Sequence, residues 1–152
     1  MIYFISGHRN ISDVEFKDNY IPKLDSAISN NGRFVVGDYY GVDMMAQEYL
    51  KGKVLDEHVT VYHMLESPRN YIENFHSKGG YILDEERDAA MTNESHVDIA
   101  WSRTARSGTA RNLERRIEFD HIKWLQYIHD NMDAESKALL KVMYEAHLKK
   151  IS

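Results

Sequence analysis

RFVVGDYYGVDMMAQEYLKG, residues 33–52, decides how the chain is read. Its first part, RFVVGD, is a short apolar run closed by a glycine, the pattern of a buried strand. From Gly41 onward, Val42, Met45, Ala46 and Tyr49 fall at helical spacing. A strand that passes through a glycine-flanked loop into a helix is the repeating unit of a parallel α/β sheet.

The same unit recurs on either side. Upstream, MIYFIS (1–6) reads as a buried strand ending at Ser6-Gly7. Ser12 and Glu15 then form a capping-box pattern. The helix they open runs to about Asn30, with a kink at Pro22 and with Gly32 just past its end. Downstream, HVTVYHML (58–65) reads as a third strand and HVDIAW (96–101) as a fourth. Between them, residues 66–81 read as loop with room for one short helix, and LDEERDAAMTNE (83–94) as helix. From Thr109 the pattern is helical to about Asn131, and a last helix covers about Ala134 to Lys149. These apolar runs do not alternate cleanly, as expected of strands covered on both faces. The expected fold is α/β: a Rossmann-like parallel sheet of four or five strands, helices on both faces, and a helical C-terminus. Residues 1–120 would form a nucleotide-binding domain, and 121–152 a helical extension packed on it.

At 152 residues the chain suits one domain with a real core. It has no cysteine, which excludes disulfides and thiolate metal sites. No apolar run approaches the ~20 residues of a membrane span, so no membrane partner is expected and a cytoplasmic location is the default. The histidines form no HExxH or carboxylate–histidine cluster, so neither a metal nor a cofactor is expected. A formal net charge of −5 argues against a general nucleic-acid binder, making nucleic acid an unlikely partner.

Ligands of open α/β sheets bind beyond the carboxyl ends of the strands. Three loops there carry the candidate residues. SGHR supplies Ser6, Gly7, His8 and Arg9, with a glycine that lets backbone approach a ligand. GDYYGVD supplies Gly37, Asp38, Gly41 and Asp43, with Asp38 or Asp43 placed to address a sugar hydroxyl. The third loop lies in WSRTARSGTARNLERR (101–116), where five arginines face one carboxylate, Glu114, at the start of a helix. The helix dipole already makes that end positive. Arginines gathered there suit an anionic ligand, held by Arg106, Ser107, Gly108, Thr109 and Arg111 together with first-turn amides.

The order of these motifs resembles the SLOG superfamily of Rossmann-like domains, which includes the Lonely Guy phosphoribohydrolases and the DNA-processing protein A domain. The resemblance rests on SGHR, VVGDYYGVDMMAQEY, ERDAAM, and VDIAW followed by SGT, and covers residues 1 to about 120. It implies a nucleotide-type pocket lined by Gly7, Gly37, Gly41, Ser107, Gly108 and Thr109, with Arg87 reaching the site. In layout the chain is also similar to nucleoside deoxyribosyltransferases and deoxynucleoside monophosphate N-glycosidases. Where Lonely Guy enzymes carry a glutamate three residues after the threonine, this chain has Asn112. The fifth strand that such folds place after this helix is not evident.

Three functions follow. The first is binding of a nucleotide or nucleotide-derived phosphate ligand, to sense or sequester it. The second is hydrolysis or transfer at the N-glycosidic bond of a nucleoside 5′-monophosphate, with Asp38, Asp43 and Glu114 as candidates for the catalytic carboxylate, Asp43 and Glu114 foremost. The third, single-strand DNA binding, is disfavoured by the net charge. The apolar faces of the C-terminal helices suggest a homodimer or higher homo-oligomer.

Overall fold

The computed structural model describes residues 1–131 and 133–151, the side chains at 128, 129 and 151 excepted. Five parallel strands form one sheet: β1 (Ile2–Ser6), β2 (Arg33–Gly37), β3 (Val59–Met64), β4 (His76–Tyr81) and β5 (Val97–Ala100), in the order β4-β3-β2-β1-β5. The helices are α1 (Asp13–Asn19), α2 (Ile21–Ser29), α3 (Val42–Leu50), α4 (Asp84–Asn93), α5 (Gly108–Asn131) and α6 (Ala134–Ile151). The α/β Rossmann-like fold with a helical C-terminus is thus present.

Both sheet faces are covered, which is why the central strands carry unbroken apolar runs. Ile5, Phe34, Val36 and Val61 pack with Phe16, Leu24, Val42 and Ala46 of α1, α2 and α3 on one side. Phe4, Val35 and Tyr62 pack with Met91 of α4 on the other. The sheet order grows outward from β1 through β2, β3 and β4, then returns across β1 to β5. The crevice at such a reversal is where ligands of these sheets bind.

Two expectations need correction. The helix expected over residues 12–30 is two helices, broken at Tyr20. Pro22 has no N–H to donate back along a continuous helix, and it is accommodated in the first turn of α2 instead. The capping box of Ser12 and Glu15 is formed as read. At the end of α2, Asn31 takes the left-handed position (φ 56) and Gly32 N donates to Ala27 O at 2.9 Å, a Schellman closure. The second correction is the fifth strand. It is not C-terminal to the arginine-rich loop but is β4, HSKGGY, inside the stretch read as loop. As an edge strand β4 is exposed along nearly all its length, so it carries no apolar signature.

The chain divides into two compact units, Met1–Ile117 and Glu118–Ser152. The first holds the sheet and the whole candidate site. In the second, Trp124, Leu125, Tyr127, Leu139, Val142 and Met143 are exposed. No helix among the described residues is long and apolar enough to cross a membrane.

Candidate functional site

A cleft of about 230 Å³ opens at the carboxyl ends of β1, β2 and β5. From β1 and its loop come Phe4, Ser6, Gly7, His8 and Arg9; from the loop after β2 and from α3 come Tyr39 and Asp43; from α4 come Asp84, Arg87, Asp88 and Met91; from α5 come Gly108, Thr109 and Asn112. Of the residues expected at the site, Ser6, Gly7, His8, Arg9, Asp43, Arg87, Gly108 and Thr109 meet here.

The walls are fixed from behind. Tyr20, fully buried, donates to Ser6 O at 2.8 Å and accepts from Trp101 N at 3.0 Å, joining the ends of β1 and β5. Gly41 has φ +70, and a Cβ there would overlap the carbonyl oxygens of His8 and Arg9. Val42 N donates to His8 O at 3.2 Å, so the loop after β1 rests on the start of α3. Gly41 therefore shapes the cleft without lining it.

One wall is a charge network. Asp38, fully buried, accepts from Arg69 N at 2.8 Å, Arg69 Nη2 at 2.8 Å and Arg87 Nη1 at 2.8 Å. Burial disfavours its charge, but the Arg69 hydrogen bonds and Arg87 outweigh this and hold the carboxyl below the usual carboxylate range. Arg87 also donates through Nε and Nη2 to Asp88 Oδ1. Burial works against the guanidinium, yet Asp88, Asp43 and Asp38 together raise its pKa. One expectation falls here. Asp38 is an anchor for two arginines and does not line the cleft. Arg87 does reach the cleft, as expected, with three N–H donors given to the carboxylates of Asp38 and Asp88. Gly37 also lies behind the cleft: a Cβ there would overlap Asp43 Oδ2 and stand 3.2 Å from Arg87 Cζ.

Asp43 is the acid of the cleft. It is 7% exposed, and Oδ2 accepts from Tyr39 N at 3.0 Å. Burial pushes its pKa up to about 7, against the pull of Arg87 and the Tyr39 N–H. It can therefore hold or release a proton near neutrality. His8 is the neutral donor: burial and the Arg103 charge lower its pKa. Its Nε2 accepts from Arg103 N at 3.0 Å, which fixes the proton on Nδ1.

The opposite wall is the start of α5. Ser107 caps the helix, its Oγ accepting from Ala110 N at 3.0 Å. The amides of Gly108 and Thr109 are left without intrahelical acceptors, as at any helix start. Ser6 Oγ, on a residue 6% exposed, has no hydrogen-bond partner. A buried orphan hydroxyl in a cleft that also holds bare amides is a costly arrangement unless something occupies the cleft.

The remaining arginine-loop residues do not line it. Arg106 and Arg111 are exposed and lie off the face that Gly108, Thr109 and Asn112 present. Neither makes an ion pair among the described residues. Arg103 is locked on Glu15 through bonds of 2.9 and 2.6 Å. Glu114 is exposed and about 200° around the helix from Asn112, so it is not a carboxylate of this cleft. Sequence reasoning had not assigned Asn112, Asp84, Asp88 or Tyr39 to the site. Asn112 carried a signal, lying three residues beyond Thr109 on the same helix face. No group of histidines and carboxylates among the described residues is arranged to hold a metal ion.

No protein-family model matches the sequence, and no curated relative matches it either. A solved structure of DNA processing protein A from Helicobacter pylori, a study of its single-stranded DNA binding mode, is similar to this chain, with a TM-score of 0.60 and 18% identity. The match covers 79% of this chain and 62% of that one, and it shows a shared Rossmann-type fold. It corrects the expectation that nucleic acid is an unlikely partner. A protein with this fold binds single-stranded DNA, so net charge is no ground for exclusion. The physical reason is that a binding surface depends on local charge, and a positive region can sit within an acidic molecule.

Proposed function

We propose that the first unit binds a nucleotide or nucleotide-derived phosphate ligand in this cleft. One observation carries the reading: the free amides of Gly108 and Thr109 share the cleft with the buried, unpartnered hydroxyl of Ser6. Helix starts of this kind take phosphate oxygens. Arg9 adds the cation at the mouth; it is exposed and bonded only to Tyr39 Oη, at 3.1 Å. Asp43 and His8 face the same space as groups for sugar hydroxyls. The DNA-binding neighbour supports a ligand from this class, whether a free nucleotide or one nucleotide of a single strand. Of the resemblances in motif order, the one to the DNA-processing protein A domain now has a solved structure beside it. Such a protein would sense or sequester its ligand.

The test is a thermal-shift series with nucleoside mono-, di- and cyclic phosphates and single-stranded oligonucleotides at two salt concentrations. A ligand at a hundred times its Kd should add about 2.7 kcal/mol of stability. A strand contacting several phosphates would lose affinity steeply with salt, whereas a mononucleotide would lose little. No shift with any of them would reject the reading.

A second reading is favoured by the Asp43 carboxyl, poised near pH 7 inside the cleft. Ionised Asp43 would take a proton from water as the oxygen attacks the anomeric carbon. The N-glycosidic bond breaks with its electrons going to the base, which takes up a proton from solvent as it leaves, and Asp43 returns the proton it holds to solvent. Incubation with nucleoside 5′-monophosphates would release free base in wild type and none in Asp43→Asn. Unchanged nucleotide in both would leave binding as the function.

A further inference from the structure

We propose that the cleft reads the sugar phosphate of its ligand and leaves the base unread. This inference rests on the nucleotide-phosphate reading above. It starts from size: about 230 Å³ lies below the roughly 300–1,000 Å³ of sites that enclose a drug-sized ligand. That is room for a phosphate and a five-carbon sugar, with a base at the open mouth of the cleft.

The chemistry of the lining agrees. Base recognition uses amides, carboxylates or guanidinium groups against base edges, and aromatic faces for stacking. Here most of those groups are committed elsewhere; the exceptions are Arg9, an exposed cation at the mouth suited to phosphate, and one oxygen of Asp43, suited to a sugar hydroxyl. Asn112 donates through Nδ2 to Asp88 and accepts at Oδ1 from Arg115. Asp84 accepts from Arg69, and Asp88 from Arg87. The Tyr39 ring carries the Arg69 guanidinium 4.7 Å above its centroid, and its hydroxyl is taken by Arg9. Phe4 is 1% exposed and offers no face.

Among the groups left without a hydrogen bond are the Ser6 hydroxyl, the Thr109 hydroxyl, one oxygen of Asp43, Nδ1 of His8, the amides of Gly108 and Thr109, and the remaining N–H groups of Arg9. These groups suit phosphate oxygens and sugar hydroxyls. A site so built discriminates strongly against a ligand lacking the phosphate and weakly among bases.

Calorimetric titration of the full chain with AMP, GMP, CMP, UMP, ribose 5-phosphate and adenosine tests this. The expected result is that the four nucleotides and ribose 5-phosphate agree in Kd within about threefold, and that adenosine is at least about a hundredfold weaker. A parallel titration with dA and dC homopolymers covers the nucleotide held in a strand, and equal affinities are expected. One base preferred by about tenfold or more, or ribose 5-phosphate weaker than the nucleotides by that factor, would overturn base indifference while leaving phosphate binding in place. Failure of every phosphate compound to bind would remove the underlying reading and this inference together.

Discussion

Arg87 Nη1 donates to Asp38 Oδ1 at 2.8 Å, tying α4 to the carboxyl end of β2 with both side chains buried. The pair forms the back wall of the cleft. Arg87→Ala would leave Asp38 and Asp88 short of their shared cation, at a cost of about 3–5 kcal/mol. Arg69→Ala should cost less, because Arg69 is 37% exposed and Arg87 still neutralises Asp38. Urea denaturation of the two variants gives the comparison. Equal losses would mean that burial of the pair does not set its weight.

Gly37 is the space that Asp43 occupies. In Gly37→Ala the new methyl would overlap Asp43 Oδ2 and press on Arg87. Overpacking of this sort costs about 1–3 kcal/mol. Because the carboxyl must move, ligand affinity should fall as well. A variant with wild-type stability and affinity would show that the carboxyl is not held where the structure puts it.

Ser6→Ala separates stability from function. Removing a buried hydroxyl that has no partner should stabilise the free protein by up to about 1 kcal/mol. The same change removes a ligand contact, so Kd for a nucleoside monophosphate should rise about tenfold. A melting curve and a titration on the same variant check both signs. Lost stability with unchanged Kd would mean the hydroxyl serves the fold alone.

Asp43 makes stability fall with pH. Its pKa in the folded state is pushed up to about 7, from 3.8 when free. Between these values the folded protein holds a proton that the unfolded chain has released, so unfolding becomes easier as pH rises through that window. Below pH 4 both forms are protonated, and above about 7 the loss is complete. Asp43→Asn lacks this term. Its melting temperature relative to wild type should rise steadily from pH 4 to 7 and then level. A constant difference across that range would contradict a carboxyl titrating near neutrality.

Much of the fold was readable because β1, β2 and β3 are covered enough to leave apolar runs, β5 keeps a short one around the buried Ile99, and α3 and α5 keep helical spacing. β4 escaped because an edge strand exposed along its length needs no apolar residues, and HSKGGY has almost none. The loops of the site were readable from their place after strands. The roles within them were less so. Asp38 is an anchor because of Arg69, 31 positions away, a pairing that local pattern does not carry. Arg106 and Arg111 attracted attention by charge, but Arg106 lies in the loop before α5 and the helix turns Arg111 off the face that Thr109 and Asn112 present. Asp84 and Asp88 matter through Arg87, whose burial exists only in the folded chain.

The most direct measurement is an amide ¹⁵N–¹H spectrum of the full chain titrated with a nucleoside 5′-monophosphate. The expected result is a saturable shift of the Gly108 and Thr109 amides, accompanied by Gly7 and Asp43, with the resonances of β4 unmoved. Gly108 and Thr109 amides that stay fixed at millimolar nucleotide, or that move no more than those of β4, would contradict phosphate binding at the start of α5.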